Sequence, residues 1–102
     1  MWVSVIKYKR LQREQRFVYT EAEEPILVCL QQEQVYAFSE RCPHQQFSLE
    51  RGLLDPETAT IQCPLHQWRF DLHTGQGLNQ NSCLKIYPTR IEDGRVWLNT
   101  QI

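Results

Sequence analysis

Cys42-Pro43-His44 and, further along, Cys63-Pro64-Leu65-His66 each offer one thiolate and one imidazole. Eighteen residues, 45 to 62, separate His44 from Cys63. Two mixed Cys/His pairs with that much chain between them can grip a metal centre from two sides. The remainder of the sequence is then a scaffold that must hold two loops face to face.

The flanking segments have the character of strands. Residues 2–6 alternate and are rich in β-branched side chains. Residues 7–15 are polar, with Leu11 as the only aliphatic anchor, and suggest a connection. Residues 16–20 form a second strand and the acidic residues 21–24 a turn. Ile26-Leu27-Val28-Cys29-Leu30 is a continuous apolar run of the kind found in a buried strand. It returns through residues 35–38 after a short polar turn.

Between the two Cys/His motifs, Asp55-Pro56-Glu57-Thr58 is a turn cluster, so a small hairpin connects the loops. After them come a short strand over 68–72, the turn Thr74-Gly75-Gln76-Gly77, and final strands over 84–87, 89–92 and 95–99. Asp93-Gly94 is a strong hairpin signal, and Pro88 marks a bend or an edge. The pattern predicts one all-β domain over residues 1–102, an antiparallel β-sandwich base with a ligand-bearing subdomain inserted at about 41–83.

Composition restricts the function classes. Hydrophobic residues make up 41% and charged residues 23% of the chain, ordinary globular usage. Eleven basic and twelve acidic residues leave a net charge of −1, with no polybasic footprint for nucleic acid or membrane. The apolar N-terminus is short and precedes its positive charges, the reverse of a secretory signal. The expected location is the cytoplasm, where four cysteines point to metal binding before disulfides. The four glycines form no dinucleotide fingerprint. There is no further 2-His-1-carboxylate set for a mononuclear iron. The expectation is a carrier with no catalytic residues of its own.

Thiolates suit zinc, copper and iron–sulfur clusters, and imidazole suits zinc, copper and iron. A structural zinc site usually draws its cysteines as a close pair from one loop. A binuclear iron site of mixed ligation needs two Cys on one iron and two His on the other. Cys-x-His followed by Cys-x-x-His meets that need if each loop supplies one ligand to each iron. A zinc-binding interaction module is the rival reading.

These motifs resemble those of the Rieske proteins, in particular the soluble Rieske ferredoxins of bacterial multicomponent oxygenases of the toluene monooxygenase type. The resemblance rests on Cys42-Pro43-His44-Gln45, Leu49 and Gly52, Cys63-x-x-His66-x-Trp68-x-Phe70, Thr74-Gly75-x-Gly77-x-Asn79, and Cys83 with Tyr87-Pro88. The spacer between the motifs is slightly longer than the family's, with the excess expected in the turn at 55–60.

The resemblance implies one [2Fe–2S] cluster, with Cys42 and Cys63 on the inner iron and His44 and His66 on the outer. It implies a monomeric electron carrier between a flavin-containing NAD(P)H-dependent reductase and a terminal oxygenase. The alternative is the small subunit of a larger, nitrite-reductase-like oxidoreductase. High-potential Rieske proteins add a disulfide between the loops, at positions that here resemble Phe47 and Leu65. They also add Ser and Tyr hydroxyls, at positions that resemble Trp68 and Phe70. Their absence implies a potential near the low end of the Rieske range.

Four further residues have plain expected roles. Cys29 reads as a buried small hydrophobe, and Cys83 lies outside both motifs. His73 reads as a solvated turn residue and Trp68 as core packing. The acidic segment at 21–24 reads as a solvated turn.

Overall fold

The computed structural model describes residues 1–43, 47–65 and 67–100. Its strands are β1 (Trp2–Lys7), β2 (Arg16–Tyr19), β3 (Ile26–Gln31), β4 (Gln34–Ser39), β5 (Leu53–Asp55), β6 (Thr60–Gln62), β7 (Arg69–Asp71), β8 (Ile86–Tyr87), β9 (Thr89–Glu92) and β10 (Arg95–Asn99). They form three antiparallel sheets, ordered β1-β10-β9, β2-β3-β4-β8 and β5-β6-β7. The first two sheets make the base, and the third lies within the insertion. This is the all-β architecture expected from the strand pattern.

The apolar run in β3 determines how the parts fit together. Side chains alternate across a strand. Ile26, Val28 and Leu30 face the base core, with Ile6, Val96 and Leu98 of the three-stranded sheet. Leu27 and Cys29 face a second core, with Phe38, Leu49, Ile61, Phe70, Leu72 and Leu84. All five residues are buried. Burying a large aliphatic side chain contributes roughly 1.5–3 kcal/mol relative to exposure, so both faces of this strand contribute to stability. A half-exposed strand would alternate apolar with polar. This one cannot, because neither face meets water.

Two hairpins follow their turn chemistry. β3 and β4 are joined at Gln32 and Glu33, with φ of 50° and 65°, and β9 and β10 at Asp93 and Gly94, with φ of 53° and 71°. Two consecutive positive-φ residues are the signature of the type I′ turn that matches strand twist. Pro88 falls where the chain leaves the four-stranded sheet after β8 and enters the three-stranded sheet as β9. The expected bend is therefore a switch between sheets.

One element differs from expectation. The polar segment after β1 is an α-helix, α1 (Tyr8–Glu14), where the sequence suggests only a connection. Seven residues are too few to be helical alone in water. Leu11 is fully buried in the base core, Arg10 pairs with Glu14 at 2.5 Å, and Gln15 closes the end in a left-handed conformation. The Gln15 N–H donates to the Leu11 carbonyl at 2.7 Å. Tertiary burial of one leucine and a C-terminal cap override a weak local pattern.

Candidate metal centre

The two Cys/His motifs fold into matched loops. Cys42 donates its backbone N–H to the carbonyl of Phe47 at 2.8 Å, and Cys63 donates its own to the carbonyl of Trp68 at 2.9 Å. Each loop thus runs from a cysteine to an aromatic residue five positions later and is closed by the same bond. Each cysteine is followed by an exposed proline, Pro43 or Pro64, whose ring fixes φ at the start of the loop. Cys42 and Cys63 are each 1% exposed and belong to the same core as Leu27, Cys29 and Phe38. His44 and His66 lie outside the described residues.

Glu40 braces the first loop. It is buried, and its carboxylate accepts from Arg41 Nε at 2.8 Å and from the Ser48 hydroxyl. Its backbone N–H donates to Pro25 at 3.0 Å, and its carbonyl accepts from Leu49 at 2.7 Å. Arg41 and Ser48 also form an antiparallel bridge across the loop base. Leu49 is fully buried and anchors the outgoing chain.

Asn79 braces the second loop. Its side-chain amide donates to the Gln67 carbonyl, and its side-chain oxygen accepts from the Arg69 N–H at 3.1 Å. It thereby grips the backbone on both sides of Trp68. The chain reaches this position through the turn that starts at Asp71. The Asp71 carboxylate accepts from the N–H groups of His73 at 2.7 Å and Thr74 at 3.2 Å. Gly75 follows at φ 80° and accepts from the Leu84 N–H at 2.6 Å.

In the sequence, Asn79 stands in the resembled motif without a role, and Glu40 belongs to no motif. A carboxylate between an apolar strand and a ligand cysteine is the signal that could have found Glu40, since a buried charge must be paired.

The remaining side chains take the expected places. Trp68 is half-buried, packs against the second core and meets Phe70 edge-on, ring centres 6.5 Å apart. Phe47 is 40% and Leu65 50% exposed. His73 is exposed and edge-on to Tyr36 at 5.4 Å. Glu21, Glu23 and Glu24 are exposed. Cys29 is fully buried while Cys83 is exposed, and neither is in a disulfide. Burial pushes the Cys29 thiol up to about 12, slightly offset by Arg16. Burial, with a smaller contribution from the Asp71 charge, also raises the Tyr36 hydroxyl.

Two thiols in an apolar core, neither in a disulfide, suit a cationic centre, since unpaired thiolates there would be costly. The donor set of the two loops, with His44 and His66 next in sequence, is that of a mixed Cys/His iron–sulfur centre. The residues present fit such a group. An all-β base carrying this pair of loops defines a metal-centre protein of the electron-carrying class.

The chain belongs to the Rieske-like [2Fe-2S] domain family, whose model matches residues 1–99. It is a ferredoxin-type electron carrier with one Rieske [2Fe–2S] cluster. It is 35% identical over 85 residues to the ferredoxin component of an alkene monooxygenase system of Xanthobacter autotrophicus, covering 82% of this chain and 69% of the relative. It is 37% identical over 65 residues to the ferredoxin subunit of a 3-phenylpropionate/cinnamic acid dioxygenase of Photorhabdus laumondii, covering 62% and 61%.

Among solved structures, the ferredoxin of carbazole 1,9a-dioxygenase from Nocardioides aromaticivorans matches with a TM-score of 0.88 over 99% of both chains at 24% identity. A putative NADH-dependent nitrite reductase small subunit from Mycobacterium tuberculosis matches at 0.84 over 96% and 93% at 18% identity. At such identities these structures speak for the fold alone. No helix among the described residues is long and apolar enough to cross a membrane.

Proposed function

We propose that Cys42 and Cys63 bind the inner iron of the cluster and His44 and His66 the outer. On this reading the chain relays single electrons from a flavin-containing NAD(P)H-dependent reductase to a terminal oxygenase. It acts as a cytoplasmic monomer. The observation that carries the ligand assignment is the pair of matched loops, each closing on a buried cysteine with a histidine two or three residues beyond it.

When bound, the cluster accepts and donates one electron at a time. Two thiolates and two neutral imidazoles from this chain would leave the oxidised centre without net charge and so would ease its reduction relative to four-thiolate ligation. The chain contributes burial of the two cysteines and the backbone bonds that close each loop at Phe47 and Trp68. Phe47 and Leu65 stand exposed in the ligand loops, and Leu53 and Leu78 are exposed elsewhere in the insertion. Exposed apolar side chains beside the ligand cysteines suit brief docking to a redox partner.

The fold likeness to a nitrite reductase small subunit favours one second reading, a fixed subunit of a larger oxidoreductase. EPR of the dithionite-reduced protein, with iron and sulfide assays, tests the centre. Two irons and two sulfides per chain and the signal of a mixed His/Cys-ligated [2Fe–2S] centre are expected. Zinc in their place would defeat the ligand reading. Stable co-purification with a large subunit would favour the second reading over the mobile relay.

A further inference from the structure

The base carries a second feature that electron relay does not use. An open groove of about 550 Å³ lies between α1 and the three-stranded sheet. It is lined by Val5, Ile6, Lys7, Lys9, Arg10, Arg13 and Arg95. No carboxylate lines it among the described residues. Five of the chain's eleven basic residues gather here, so the rest of the surface is net acidic.

The arrangement holds like charges together at a cost. Lys7 lies directly opposite Arg95 in the β1–β10 pairing, and like charges across a strand pair are destabilising. Lys9 and Arg13 lie at i and i+4 on α1, where like charges also repel. The first turn of α1 holds no acidic residue to favour the helix dipole. Two of the cations are fixed in place. Arg10 is held by Glu14 and lies 5.4 Å over the Phe17 ring, and Arg95 Nε donates to the Ser4 hydroxyl. Lys7, Lys9 and Arg13 make no ion pair among the described residues. Lys7, Lys9 and Arg13, crowded beside Arg95 and without an ion pair of their own among the described residues, gain most from an anionic partner.

We propose that this groove docks an acidic protein surface. A long polyanion would run beyond the groove onto a surface that is net acidic, whereas a protein can present carboxylates locally and avoid that repulsion. An anionic membrane fits less well, because Ile6 is buried and Val5 only partly exposed, which leaves no projecting apolar side chain to insert. The groove also lies on the base side of the β3 sheet, where Ile6 and Leu11 pack, whereas Cys42 and Cys63 pack on the other face. A partner seated there leaves the ligand loops free. That consequence, a carrier held by one protein while its tip meets another, rests on the relay reading, but the binding itself does not.

The test uses the full-length, cluster-loaded, isotopically labelled chain titrated with an octaglutamate peptide at low salt and followed by NMR. Saturable shifts at the amides of residues 7, 9, 10, 13 and 95, reversed by added salt, are expected. Lys9→Glu with Arg13→Glu should weaken binding at least about tenfold, consistent with the loss of close charge pairs. The milder Lys9→Gln with Arg13→Gln should fall between, which keeps the test open if the reversal disturbs α1. Arg51→Glu with Lys85→Glu, the same charge change elsewhere, should weaken binding less than the groove reversal, and the gap should widen as salt is raised to about 0.1 M, where charges more than about 10 Å from the groove are screened.

The EPR signal of the groove variants should match that of the parent, so a failure of the relay reading shows separately. No shifts at the groove, or equal weakening by both charge reversals, would overturn the proposal. So would tighter binding there of a twelve-base-pair DNA duplex or of phosphatidylserine vesicles than of the peptide.

Discussion

Gly75 and Gly94 both sit at positive φ, 80° and 71°, but they differ in surroundings. A Cβ on Gly94 would meet nothing within 4 Å, whereas one on Gly75 would lie 1.9 Å from the Leu84 carbonyl oxygen and 2.9 Å from Ile86 Cγ1. Gly94→Ala should therefore cost only the left-handed penalty, about 1 kcal/mol. Gly75→Ala must also force residue 75 and the Leu84 backbone apart. That breaks the Leu84 N–H bond to the Gly75 carbonyl and strands a donor at a buried residue, a further cost of about 1–3 kcal/mol.

For a domain of this size 1 kcal/mol moves the melting point by about 4–8 °C. Gly94→Ala should melt about 4–8 °C below the parent, and Gly75→Ala about 8 °C or more below it, at least twice the Gly94 shift. The displaced segment also carries Asn79, so the Gly75 variant should lose its cluster absorbance before its β-sheet circular dichroism. Paired melts followed at both signals make the measurement. Equal melting points for the two variants would refute the reasoning, because the φ penalty alone would then account for both.

Asn79→Ala should cost about 1–2 kcal/mol for its two backbone bonds and speed cluster loss to a chelator several-fold. Asn79→Asp keeps the acceptor for Arg69 but loses the donor to Gln67 and should fall between. In the native protein Cys83 should react with iodoacetamide at pH 8, and Cys29 only after unfolding, as mass spectrometry of the labelled peptides would report. Because the folded-state value for Cys29 is raised from 9.0 to about 12, its contribution is fully present below pH 9 and is lost as pH rises towards 12. The loss is up to about 4 kcal/mol, and Cys29→Ala should flatten that part of the stability profile. With Trp68 and Phe70, which lack a hydroxyl, at the positions that resemble the Ser and Tyr donors of high-potential Rieske proteins, voltammetry should give a midpoint on the order of −150 mV. A value well above zero would refute that account.

Most strands were legible because each carries its own signal. The β3 run showed a strand covered on both faces, Asp93-Gly94 showed the last hairpin, and Pro88 marked the break between sheets. The helix α1 was not legible. Its single leucine gives no periodicity, and its C-cap is Gln15, not the glycine that would signal a stop. What holds it is contact with distant residues, which local reading cannot see. The site divides in the same way. Cys42 and Cys63 stand out by type and spacing, whereas the braces Glu40 and Asn79 act, Arg41 apart, through hydrogen bonds to residues from eight to fifteen positions away. Such bonds depend on the fold being in place.

β3 also bears on engineering. Leu27 and Cys29 form part of the wall behind the cysteines, while Ile26, Val28 and Leu30, interleaved with them, support the other half of the molecule. Residues 41–83 are therefore not a portable cassette. A graft of the two loops onto another scaffold would leave behind the strand that closes their core, and its thiols would face water. The segment to transplant begins at β3, which makes the smallest transferable electron carrier most of the chain.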